Sequence, residues 1–273
     1  MQKFFVLLIL MQISILSIAQ DKRSELSYTL SADIMSRYIW RGADYGKSPS
    51  IQPTFSLKYN NFEFGVWGSF ALSSNFAEID PYVKFNVKGF SITLTDYYIP
   101  SLANDNPSFA PFQDTRFLYF KNVHAFHFDT LTNTFNNALT CNALEGMIQF
   151  KNLDITPFSI LVATYFYGND KKITDTTFHD AGKTLIKEVN VKNQYSTYIE
   201  LGYAFTSKET DFDLFLGLTP VSGAYSDGFG VVNLGLTAAR KIKITEDYSL
   251  PVKSSIITNP KAGNLFFIFG FSI

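Results

Sequence analysis

Three histidines, His124, His127 and His179, are the only imidazoles of the chain, and acid–base or metal chemistry would have to start from them. His124-Val-Ala-His127 sets two rings three residues apart, a spacing that meets on one face of a helix and splits to opposite faces of a strand. No cysteine or carboxylate of ligand spacing stands beside them, so no metal site is expected. A Ser-His-carboxylate or Asn-His-Ser set on the outer wall of a barrel needs a histidine within a wall strand, and none is visible there. The expectation is therefore no catalysis and no cofactor. Asn169-Asp170-Lys171-Lys172, followed by Thr174, Asp175, Thr176 and Asp180, is oxygen-rich enough for calcium, but a solvated loop has the same composition. Gly228-Phe229-Gly230 follows an Asp-Gly pair and has no helix after it, which makes it a turn and not a nucleotide fingerprint.

What remains is charge placed at regular intervals. Asp33, Arg37, Arg41, Lys58, Glu63, Glu78, Asp80, Lys84, Glu145, Glu200, Asp211, Asp213 and Lys253 all fall on one parity of otherwise apolar segments. Exposed to lipid, a lone charge costs about 2–4 kcal/mol at the midplane of a bilayer. These residues are expected to line a lumen, either as ion pairs that fill it or as the wall of an aqueous pore.

The elements that would position them read as strands. Leu26, Tyr28, Leu30, Ala32 and Ile34 alternate with Ser27, Thr29, Ser31 and Asp33. Continued, that parity puts Tyr38 and Trp40 on the lipid side, Trp40 at the height of the outer aromatic girdle, and Arg37 and Arg41 inside, within reach of Glu78, Asp80 or Asp96. Ile51, Phe55, Leu57 and Tyr59 oppose Gln52, Thr54, Ser56 and Lys58, and the pattern recurs to the last residues. There Leu265, Phe267, Phe269, Phe271 and Ile273 make one wholly apolar face, with Val232, Leu234 and Leu236 an earlier example. Phe158, Ile160, Val162 and Phe166 lie in a segment apolar on both parities. About twelve strands result. Links after even strands are short, as at Asn60-Asn61 and Lys88-Gly89, whereas Gly42 to Pro49, the region near 100–141, that near 168–193 and Pro220 to Gly228 are long. A transmembrane barrel sorts its connections in this way, with tight periplasmic turns and long external loops.

Composition agrees. Aromatic residues make up 16% of the chain, Cys141 is the only cysteine, and the net charge of −1 offers no field for nucleic acid. Residues 1–19 have the charge, apolar run and small-residue end of a cleaved signal peptide, leaving 20–273 as one barrel domain. Twelve strands lie between the filled eight-stranded barrel and the open sixteen-stranded porin, so a narrow pore is expected. The long segment Pro100 to Cys141 either constricts the mouth or extends as a surface hairpin.

Ser36-Arg37-Tyr38-Ile39-Trp40-Arg41-Gly42 with Pro49-Ser50-Ile51-Gln52-Pro53 resembles the opening of the TorF-family porins. Gly65-Val66-Trp67-Gly68-Ser69, Glu78-Ile79-Asp80-Pro81-Tyr82, Asp96-Tyr97-Tyr98-Ile99-Pro100, Tyr165-Phe166-Tyr167-Gly168-Asn169-Asp170 and Tyr195-Ser196-Thr197-Tyr198-Ile199-Glu200-Leu201 are similar to later strands of that family, in the same order. The resemblance implies a bacterial outer-membrane barrel passing small solutes or ions, and supplies no catalytic or ligand residues.

The fold class expected is thus all-β: a transmembrane antiparallel up-and-down barrel, both termini periplasmic. Its partners would be outer-membrane lipids, diffusing solutes and, through the last strand, the barrel-assembly machinery. Monomer and oligomer both fit. A structural or adhesive barrel with a filled lumen is the alternative, and an outer-membrane hydrolase a more distant one.

Overall fold

The computed structural model describes residues 26–99, 127–129, 134–136, 142–180 and 185–273. The expected leader and most of the 100–141 segment, His124 included, lie outside them. Twelve strands close into one antiparallel barrel, each paired with its neighbours in sequence and the last with the first. They are β1 (Leu26–Met35), β2 (Ser50–Tyr59), β3 (Phe62–Ala71), β4 (Ala77–Val87), β5 (Phe90–Tyr98) and β6 (Asn142–Lys151). The second half comprises β7 (Phe158–Gly168), β8 (Thr197–Ser207), β9 (Thr210–Thr219), β10 (Gly230–Lys243), β11 (Ser249–Asn259) and β12 (Asn264–Ser272). Among the described residues no helix is long and apolar enough to cross a membrane.

Alternation decides which way each side chain points. Tyr28 and Leu30 are each 76% exposed on the outside, and Phe267 and Phe269 are 67% and 69% exposed on β12. Closure pairs the strands around the ring, apart from Leu26–Ser31 of β1, which runs past the end of β12, so most of this outer band of Phe, Leu, Ile and Val covers satisfied backbone. The fold is that of a transmembrane-type β-barrel. On β7 the ambiguity resolves cleanly: Phe158, Ile160, Val162 and Phe166 stay exposed while Ala163 and Tyr165 are buried inside.

One end carries the short links 60–61, 88–89, 152–157, 208–209 and 244–248. Asn60, Lys88, Gly89 and Lys208 take positive φ in the tightest of them, as two-residue hairpin turns require. The other end carries 36–49, 72–76, 99–141, 169–196, 220–229 and 260–263, so the sorting expected from the sequence holds, although 72–76 and 260–263 are also brief. The 169–196 connection is not an open loop: Lys171–Asp180 pairs with Leu185–Asn193 as a separate two-stranded sheet. His179 belongs to that sheet, and His127 to the small pair His127–Asp129 and Thr134–Asn136, so neither is in the barrel wall.

Two expectations fail here. The first strand ends at Met35 and does not continue to Arg41; Tyr38–Trp40 turns back on Ala43–Tyr45 as a separate hairpin that enters the barrel. A register shift between Gly217 and Leu218, an extra residue on β10, takes Val232 off the outer face, where it is only 1% exposed.

The seam between β1 and β12 is the barrel's shortest pairing: Asp33 with Ser272, Ile34 with Phe271 and Met35 with Gly270. Ala32 and Ile273 exchange backbone hydrogen bonds of 3.0 and 2.9 Å beside it. Inside, Met35, Ile257 and Ile268 form a small apolar cluster with Ile39, Phe215 and Phe266 around it.

Candidate functional site

The hairpin inside the barrel is built from its turn. Register pairs Tyr38 with Tyr45, Ile39 with Asp44 and Trp40 with Ala43, leaving Arg41 and Gly42 as the two turn residues. Both have positive φ, 49° and 77°, which is the turn that suits a two-residue hairpin. Glycine at 42 has a second reason. A Cβ there would lie 1.9 Å from the Val232 carbonyl oxygen and 3.2 Å from Asn259 Cβ. Asn259 Nδ2 in turn donates to the Gly42 carbonyl at 3.3 Å. The hairpin thus leaves β1, crosses the lumen and docks on β10 and β11.

Its tip delivers Arg41 into a cage. The guanidinium holds Glu145 of β6 through two nitrogens, one of them at 2.9 Å, and also donates to Tyr225. Tyr97 of β5 donates to the same carboxylate at 3.0 Å. The guanidinium carbon stands 4.2 Å from the Trp40 ring centre and 4.5 Å from that of Tyr198. Only 7% of the Arg41 side chain and 1% of the Glu145 side chain remain exposed. A bidentate Arg–carboxylate pair with aromatic walls is the geometry for which Arg is better suited than Lys. Tyr225 comes from the 220–229 loop, and that loop is anchored: the Ala224 amide donates to Ser196 Oγ at 2.7 Å, and the Ser196 amide to Asp170 at 2.9 Å. Lys261 bridges to Asp227 at 3.0 Å and holds its carboxyl below the ordinary value.

The lumen residues foreseen from parity sort into three groups. Arg41 and Glu145 form the central pair, and Glu200 accepts from Tyr198 and from Asn233 at 3.3 Å just beneath it. Glu78 and Asp80 are buried on β4, two strands round the wall from Glu145, where Tyr38 sits against Trp67 with ring centres 5.1 Å apart. Toward the short turns, Asp33 pairs with Lys253, Asp213 with Lys151 at 3.4 Å, and Asp211 accepts from Thr206 at 2.7 Å. Lys58, Glu63 and Lys84 stand opposite one another across β2, β3 and β4, and Glu63 accepts from Tyr82 at 2.8 Å. Arg37 and Arg41 both change company. Arg37 pairs with Asp44 inside its own hairpin and not with Glu78, Asp80 or Asp96, and Arg41 likewise reaches Glu145. Neither Tyr38 nor Trp40 faces outward as expected: Tyr38 is 6% exposed against Trp67, and Trp40 is no girdle residue but lies inside, 5.3 Å from Tyr97 and 6.0 Å from Tyr225.

Sequence reasoning passed over Tyr165, Tyr198 and Tyr225. For Tyr198 the signal was available, since it shares parity with Ser196 and Glu200; Tyr225 lies in a loop and gave none. A cavity lies on either side of the hairpin. One of about 340 Å³ lies against Arg37, Gln52, Asn233, Thr237, Lys253 and Ser255. The other, of about 350 Å³, lies against Trp40, Glu63, Trp67, Asp80, Lys84 and Tyr97. The structure therefore has a lumen that is charged along its length and narrowed near the long-loop end by its own chain.

No protein-family model matches the sequence, and no curated protein does. Among solved structures, a chain studied for the mechanism behind the in-meso crystallization of membrane proteins is similar at a TM-score of 0.40 and 7% identity, over 91% of this chain and 83% of that one.

Proposed function

We propose that this barrel sits in a bacterial outer membrane and acts as a narrow porin-like channel for small solutes or ions, with the 38–45 hairpin as its constriction. The observation that carries the reading is the contrast between faces: an apolar exterior, against an interior of paired and unpaired charges that stays solvent-exposed toward the short turns, as at Lys58, Lys151 and Asp213. A structure meant only to be filled would have no use for exposed lysine and aspartate in its lower lumen. The likeness of the 36–53 segment to the TorF-family porins supports the same reading, and the last strand would then be the one presented to the assembly machinery.

A second reading has its own observation. Arg41, Glu145 and the tyrosines around them close the long-loop end so fully that a barrel with no transport, presenting loops to partners, also fits. Planar-bilayer recording separates the two. The channel reading expects conductance steps from the intact protein and larger steps after Tyr38–Tyr45 is replaced by a short Gly-Ser link. Silence from the intact protein with conduction only from the shortened one identifies a plugged barrel.

A further inference from the structure

We infer that the cavity between the hairpin and β3, β4 and β5 is a binding site for a small organic cation. The inference rests on the reading above only in that the lumen must admit solutes from the short-turn side. The floor of the cavity is Asp80, which stands opposite Trp67 in the β3–β4 register. Asp80 is 4% exposed, and its Oδ1 has no hydrogen-bond partner among the described residues. Thr93 Oγ1, on the next strand and also lining the cavity, is buried and without a partner too. Two orphaned acceptors at the end of one cavity are the pattern of a site built for a donor or a cation.

The walls choose between those. Trp67, Trp40 and Tyr97 present aromatic surface, with Tyr38 packed on Trp67 from the hairpin side. Aromatic faces around a buried carboxylate select a positively charged group of modest hydration, such as an alkylammonium. Arg41 lies against Trp40 but is matched by Glu145, so it does not reverse the sign of the site. At the mouth, Glu63 and Lys84 face each other across the strands. The cavity then counts two carboxylates to one ammonium. A bare metal ion is not favoured, because no cluster among the described residues brings three ligating side chains together. A volume of about 350 Å³ suits a molecule of a few carbons.

The test is convenient because Trp40 and Trp67 are the only tryptophans of the chain. Titrate the full protein in detergent micelles with tetramethylammonium, and in parallel with tert-butanol, a neutral molecule of similar bulk, while reading tryptophan emission. A saturable change with the ammonium, at concentrations roughly tenfold below any effect of the alcohol, is expected. Asp80→Asn should weaken the ammonium response about tenfold, and Lys84→Met, which removes the competing charge at the mouth, should strengthen it severalfold. A response that does not saturate, an equal response to tert-butanol, or affinities unchanged in both variants overturns the site. Lys84→Met keeps the test open if Asp80→Asn fails to fold. Binding by a protein silent in bilayers would refute the channel and leave this site standing; conduction without binding would do the reverse.

Discussion

Arg41 holds its backbone at φ 49°, a region that costs an L residue about 1–2 kcal/mol, and its side chain is removed from water as well. Neither is tolerable unless the carboxylate and the rings around it return more than they take. Arg41→Met should accordingly lower stability by about 3–5 kcal/mol, because Glu145 is left charged and unmatched. The double change Arg41→Met with Glu145→Leu should recover a good part of that loss. Urea unfolding from detergent micelles measures both, and a strictly additive double mutant would refute the pairing as the source of the effect. Gly42→Ala strikes the same hairpin from the backbone side, since its methyl would lie 1.9 Å from the Val232 carbonyl oxygen. It is expected to dislodge the tip and raise conductance while the barrel stays folded. Arg37, paired only with Asp44 and partly open to the lumen, is the better probe of ion preference. Arg37→Glu should move the reversal potential in a salt gradient toward cation selectivity.

At the level of strands, parity was legible almost throughout. Alternation has a period of two, and one misplacement would turn a whole apolar face inward, so the outer apolar band of β2, β3, β5 and β12 could be read directly. Three things were not legible, each for a physical reason. Tyr38-Ile39-Trp40 keeps the same alternation as β1, so nothing in the pattern marks where the wall stops; the break is set by the Arg41-Gly42 turn finding a fit on Val232 and Asn259, far off in sequence. Val232 was misread because a bulge adds one residue and reverses the parity beyond it. The partners of Arg37 and Arg41 depended on that hairpin and inherited the error. Where parity was right, the outer face can be tested. Leu201, 49% exposed on β8, should cost about 2–4 kcal/mol on replacement by Arg in lipid vesicles. A cost near zero would place it away from hydrocarbon.

Taken whole, the cylinder is unevenly fastened. β10 pairs with β11 from Leu234 with Thr258 to Lys243 with Ser249, whereas the closing junction of β1 and β12 holds three register pairs and a few flanking amide bonds. Gly270 belongs to that junction, and any side chain there would meet the Met35 sulfur at 2.3 Å. The wall should then unzip from this line before it yields elsewhere. Deuterium uptake by the amides of Ala32, Ser36 and Ile273 should outrun that of the β10–β11 ladder, and a cysteine cross-link between positions 34 and 271 should slow the rupture of the entire ring.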